Sequence, residues 1–163
     1  MKKTLVACVL TAALALSNSV SAAQSAFLVL QSPKGRVNGS VTQKGREGSI
    51  EVIGTEHNVA STAVGSRTHS AFVVKKKVDV ASSKLYSALI NGETFDATLS
   101  FVRPNAAGIE SQYYSVKLTR ARITEIKFSQ ANGLETEEVA FTYQDITWSF
   151  ADGNATVSDT KKN

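Results

Sequence analysis

His57 and His69 are, by residue type, the side chains of this sequence best suited to move protons or hold a metal at neutral pH. Glu51 and Glu56 lie close to them in the chain, yet no His–Glu spacing here matches a metal-ligand pattern. Each histidine therefore reads as structural. Glu137 and Glu138 are neighbours at the start of a strand, so their carboxylates point to opposite faces and cannot serve as a dyad. Serines are abundant, but none sits in a Gly-x-Ser-x-Gly elbow. The glycine-rich stretch from Gly35 to Gly48 lacks the Gly-Lys-Ser/Thr ending of a phosphate cradle. No catalytic residue, metal or cofactor is expected, and the chain is not expected to be an enzyme.

The remaining polar chemistry is electrostatic and modest. Lys75-Lys76-Lys77 is a basic run without an aromatic stacking platform, which reads as a solvated strand end rather than a nucleic-acid surface. The chain has 163 residues and a net charge of +4. Its first 22 residues have the three parts of a secretory signal peptide: Lys2-Lys3, the apolar run Leu5 to Leu16, and Val20-Ser21-Ala22 with small side chains. Cleavage is expected after Ala22, with Ala23 as the second choice. Removing 22 of the 163 residues leaves 141 and takes the charge to +2, because Lys2 and Lys3 are lost. Cys8, the only cysteine, goes with them, which excludes thiol chemistry and disulfides from the mature chain. So small a charge argues against nucleic acid as partner. No apolar run approaches the ~18 residues of a spanning helix, so no membrane insertion is expected. Residues 23–163 suit one exported domain, periplasmic or secreted.

The elements that must carry these residues are mostly strands. Phe27–Leu30 is a short apolar run ending at Ser32-Pro33-Lys34-Gly35. Ser32 to Gly48 reads as a long irregular loop, and loops of that length in small domains tend to be functional or mobile. Strand composition returns around Ile50-Glu51-Val52-Ile53, and Ala60 to Arg67 reads as another loop. From Ser70 to Val80 the pattern alternates, with Phe72, Val74, Val78 and Val80 on one face. Lys76 falls on that apolar face, where its stem is expected to snorkel out at a sheet edge. Ser82 or Ser83 can cap a short helix with Leu85, Ala88 and Leu89 on one side and Gly92 as its stop.

Three long strands follow, and their apolar phase slips. Ala97, Leu99 and Phe101 are expected inward. Tyr114, Val116 and Leu118 are even, Ala121 and Ile123 odd, Ile126 and Phe128 even again. Val139, Phe141 and Tyr143 are odd, whereas Ile146, Trp148 and Phe150 are even. A strand cannot change faces without an extra residue, so each slip predicts a bulge or bend. Turns near Asn105–Gly108 and Asn132-Gly133 join these strands as a meander. The fold class expected is mainly β: a small antiparallel β-barrel with one short flanking α-helix.

Several segments, in this order, resemble the haemolysin-coregulated protein (Hcp) family, the tube protein of bacterial type VI secretion. They are Gly45-Arg46-Glu47-Gly48-Ser49-Ile50-Glu51-Val52, the stretch from Arg67 to Asp79, Ser82-Ser83-Lys84-Leu85, Tyr113 to Leu118, and Glu137 to Trp148. The similarity covers residues 26–150. It implies a barrel protomer that forms homohexameric rings, stacks them into a tube and carries small effectors, with type VI sheath and spike as further partners. It also implies that Lys34, Gly35, Arg36, Val37, Asn38, Gly39, Ser40, Gln43 and Lys44 contact the next ring, and that the long loop takes its order from that neighbour. The family's tube is built without a signal peptide, so the leader here points to an alternative: an exported barrel of the same ancestry that works as a binding module.

Overall fold

The structure, a computed structural model, describes residues 25–62 and 65–161. The expected signal peptide lies outside the described residues. In chain order the elements are β1 (Ser25–Ser32), β2 (Gly35–Val37), β3 (Ile50–Val52), β4 (Gly54–Glu56), β5 (Val59–Ser61), β6 (Arg67–His69), β7 (Phe72–Lys77) and α1 (Ser82–Asn91). Then come β8 (Thr94–Pro104), β9 (Glu110–Ala131), β10 (Leu134–Thr142), β11 (Asp145–Phe150), a 3-10 turn at Ala151–Gly153, and β12 (Ala155–Thr160).

Every described strand pair is antiparallel, and the main sheet runs β2-β1-β8-β9-β10-β7-β4. The segment 50–56 brings its two ends together. β3 pairs with β1 through Ala26 opposite Val52, and β4 then pairs with β7 through Gly54 opposite Lys75. Between them, Ile53 donates its N–H to the Lys75 carbonyl at 2.8 Å. The hydrogen-bonded path thus returns to β1, around a core of Leu28, Leu30, Ile50, Val74, Leu99, Val139, Phe141 and Ile146. Each such side chain contributes ~1.5–3 kcal/mol by leaving water.

The phase slips read from the sequence are breaks in register. Opposite β8, the pairing jumps from Ala97–Leu118 to Phe95–Ala121, and Arg120 in the gap takes a positive φ of 51°. Opposite β10, it jumps from Ala140–Glu125 to Phe141–Ile123, leaving Thr124 extra. The third slip is a bend. Tyr143 and Gln144 separate β10 from β11, and both strands pair with the same edge of β9. The Asn132-Gly133 turn has φ of 53° and 74° at its two residues, the geometry of a tight hairpin.

Several expectations need correction. Val78 and Val80 are exposed because β7 ends at Lys77 and the chain turns towards α1. Phe128 is exposed as well, on the part of β9 that runs past the core. Part of the long loop is the hairpin strand β2, and a small separate sheet, β5 with β6, stands where a loop was expected. Neither serine caps α1. The helix follows Ala81 without a side-chain cap, and Asp79 closes the turn before it, accepting from the Ala81 N–H at 3.0 Å through its carboxylate and from the Ser82 N–H at 3.0 Å through its carbonyl. Gly92 ends the helix in the left-handed region, as its position predicts.

Lys76 is the largest departure: it is fully buried. β7 is covered by β10 on one side and β4 on the other, so the side chain has no edge from which to reach water. Its ammonium donates to Glu137 at 2.9 Å, to the Lys77 carbonyl at 2.7 Å and to Ser82 Oγ at 3.0 Å, and lies 2.8 Å from Asp79. Ser82 Oγ–H donates in turn to Glu137 at 2.7 Å. Lys76 and Glu137 are direct cross-strand partners. The pair ties β7, β10 and the start of α1 together.

Candidate functional site

The residues expected to meet a partner form an arm that begins as the β1–β2 hairpin. Leu30 faces Val37 and Ser32 faces Gly35 across it. Ser32 Oγ holds the turn, donating to the Gly35 carbonyl at 3.0 Å and accepting from the Lys34 N–H at 3.2 Å. Lys34 reaches Glu93 just beyond α1, at 2.6 Å. Val37 packs against the core, whereas Arg36 and Lys44 are exposed.

The rest of the arm carries hydrogen bonds of its own. Gly39 N–H donates to the Gly48 carbonyl at 2.9 Å, and Gly48 N–H returns to the Val41 carbonyl at 2.8 Å. A Cβ on Gly39 would stand 2.3 Å from the Ser49 carbonyl oxygen, so only glycine fits there. At Ser40 the arm touches the α1 approach: its N–H donates to Asp79 at 3.2 Å. Asn38 lies with its side chain against Gly48.

The base of the arm is fastened by Gln43, one of the expected contact residues, together with Phe27, Arg46 and Glu110, which the sequence did not single out as site residues. Arg46 pairs with Glu110 at 2.8 Å and lies over the Phe27 ring, 4.7 Å from its centroid. Gln43 donates to the same Glu110 carboxylate at 2.8 Å and accepts from Arg46 at 3.0 Å. These bonds from Arg46 and then Gln43 hold the Glu110 carboxyl below its usual range. Between the arm, β1 and residues 77–80 lies an open groove of about 800 Å³, walled by Phe27, Val41, Val78 and Val80 and rimmed by Glu51, Lys77 and Asp79.

The two histidines also come together, although 12 residues separate them in the chain. Their rings are 6.0 Å apart, and both bond the Tyr143 hydroxyl, His57 Nε2 at 2.6 Å and His69 Nδ1 at 2.9 Å. Glu51 and Glu56 are not part of this group. Among the described residues, no three His, Cys, Asp or Glu side chains converge as metal ligands would. Glu137 and Glu138 face opposite ways, the first bonded to Lys76 and the second to Lys75 at 3.2 Å.

These features define a class: a small antiparallel β scaffold with one flanking helix and a preformed surface arm. Residues 27–150 match the sequence profile described as "Type VI secretion system effector, Hcp". The chain is 31% identical over 137 residues to the major exported protein of Pseudomonas aeruginosa strain PAO1, covering 74% of this chain and 80% of that protein. Its fold is similar to that of an Hcp1 double mutant from Escherichia coli EAEC 042, at a TM-score of 0.77 and 31% identity over 83% of this chain and 97% of that one. Similar too is the secreted protein Hcp3 of P. aeruginosa, with a TM-score of 0.74 and 30% identity over 84% and 99% of the two chains. The chain belongs to the Hcp family of type VI secretion, whose members are structural proteins rather than enzymes.

Proposed function

We propose that the mature chain, residues 23–163, assembles into homohexameric rings that stack into a tube, with the arm at Lys34–Lys44 reaching the next ring. The carrying observation is the arm itself, an exposed segment held in one shape by Gly39, Arg46 and Glu110. A segment already ordered in the free protomer loses little conformational freedom when it docks, which favours repeated head-to-tail contact. Small effectors inside the ring, and sheath and spike outside it, are the partners this reading brings. Residues 1–22 act as a signal peptide that places the protein in the periplasm or outside the cell.

The leader favours a second reading: an exported barrel that has kept the protomer and works as a binding module. Electron microscopy of negatively stained residues 23–163 separates the two. The tube reading expects rings and short stacks, and expects Arg36→Glu with Lys44→Glu to leave rings but abolish stacks. Stacks that survive both charge reversals would remove the arm from the contact. Isolated protomers at every concentration would favour the binding module.

A further inference from the structure

The tube reading makes no use of His57, Tyr143, His69 and Asp159, although they form one continuous hydrogen-bonded chain. His69 Nε2 lies 3.1 Å from Asp159, whose carboxylate also takes both guanidinium bonds of Arg67, at 2.5 Å and 2.7 Å. The chain crosses from the β5–β6 hairpin, which carries Arg67 and His69, to β12, which carries Asp159, and to Tyr143 at the bend between β10 and β11. The hairpin is a two-stranded sheet of its own, mostly exposed. Among the described residues, the side-chain bonds of β5 and β6 to the barrel all end on Tyr143 or Asp159.

The carboxylate sets the direction of the protons. Asp159 can only accept, so His69 donates from Nε2, which leaves Nδ1 as an acceptor. Tyr143 then gives its O–H to His69 Nδ1 and accepts from His57 Nε2–H. Every group is satisfied, and both rings are neutral with their proton on Nε2. One added proton is tolerated. It is accommodated when the His57 proton moves from Nε2 to Nδ1 and the Tyr143 hydroxyl turns to give its hydrogen to the bared Nε2, so that His69 can donate from both ring nitrogens. A second proton, on His57, leaves Tyr143 facing two N–H donors with no acceptor for its own hydrogen. It also sets two cations about one ring-width apart.

We propose that this cluster is an acid-operated latch, in which protonation of His57 releases the β5–β6 hairpin from β12 while the barrel stays folded. Around His57 the charged and titratable groups are His69 and Arg67 on β6, Tyr143 after β10, Asp159 on β12, Lys161 beyond it and Glu56 on β4. The rings packed from β7 and β11, Phe72 at 5.2 Å and Trp148 at 6.2 Å, carry no charge. Lys161 lies 5.8 Å from the Tyr143 ring and opposes a further cation. Burial first, then His69 and Lys161, hold His57 below its ordinary value of 6.5. The folded state thus resists this proton. The stability of the closed latch is complete above 6.5 and is lost as pH falls through the lowered value.

Trp148 is the only tryptophan in the chain, so its fluorescence reports on this cluster alone. On acidification below 6.5, the latch predicts quenching of Trp148 and a fall of about tenfold or more in amide-exchange protection across residues 57–62, 65–69 and 155–160, with β8 and β10 still protected. His57→Gln keeps a donor to Tyr143 but cannot take the proton, and it should stay closed through the same range. Nitrogen-15 shifts of the wild-type rings at neutral pH should place both protons on Nε2, and this holds as a test even if the variant fails to fold. Hairpin protection that stays flat to about pH 5 would overturn the latch. So would opening of His57→Gln at the wild-type pH, simultaneous loss of core protection, or a His57 proton on Nδ1.

Discussion

Replacing Lys76 by methionine removes the one cation that Glu137 meets inside the barrel. In the wild type Glu137 has the ammonium at 2.9 Å and Ser82 Oγ–H at 2.7 Å; in the variant it keeps only the hydroxyl. Both side chains are almost entirely shielded from water, so no solvent replaces the lost charge. Breaking a buried pair from one side costs ~3–5 kcal/mol, whereas exchanging both partners for apolar residues is often neutral or better. For a domain of this size the single change should lower Tm by about 10–20 °C. Lys76→Met with Glu137→Leu should recover most of that loss, because Asp79 is partly exposed and still accepts from the Ala81 N–H. Urea unfolding of the two singles and the double at constant m gives the coupling energy directly. A Lys76→Met loss under ~1 kcal/mol, or a double variant whose loss equals the sum of the singles, would refute the reasoning.

Gly39→Ala forces a Cβ to 2.3 Å from the Ser49 carbonyl oxygen and 2.7 Å from Ile50 Cα, both backbone. The arm must shift, at a cost of ~1–3 kcal/mol in urea unfolding and with faster amide exchange over residues 39–49. An unchanged midpoint would mean that the close approach is absent in solution. Arg46→Ala should leave the melting transition nearly in place but speed exchange in residues 40–46, because it frees Gln43 and Glu110 together. Undisturbed exchange there would show that the arm is held by its backbone bonds alone. Asp159 is held down to about 2 chiefly by its bonds to Arg67, with His69 contributing. That depression belongs to the docked hairpin, so in His57→Gln, which stays docked, the Arg67–Asp159 tie is present above the unfolded carboxyl range and is lost as pH falls through about 2. NMR titration of the Asp159 carboxyl carbon checks this, and a midpoint near an ordinary aspartate would contradict it.

Where the sequence alternates, it already carries the architecture. The slips between Leu118 and Ala121 and between Ile123 and Ile126 locate two of the three register breaks of β9, because a pleated strand has no other way to change faces; the third, which leaves Tyr113 extra opposite Phe101 and Val102, had no such mark. Gly92 and the Leu85/Ala88 spacing likewise place the helix. What stayed hidden depends on partners far away in the chain. Lys76 looks like a misplaced surface lysine until Glu137, 61 residues on, is seen opposite it. Arg46 and Glu110 fasten the arm across 64 residues, and neither carries a local signal. The arm's glycines and polar residues therefore read as irregular loop, although its bonds make it a fixed shape. His57 and His69 were legible as structural histidines but not as partners of one hydroxyl. That meeting depends on the bend at Tyr143, which the change of phase marked without showing what it would touch.

The central claim is that this protomer closes into a ring. Light scattering on purified residues 23–163 tests it most directly. The account predicts a species near six protomer masses that persists on dilution, as expected for a large, well-packed obligate contact. A protomer-mass species at all concentrations would contradict it and leave the exported binding module as the function of this barrel.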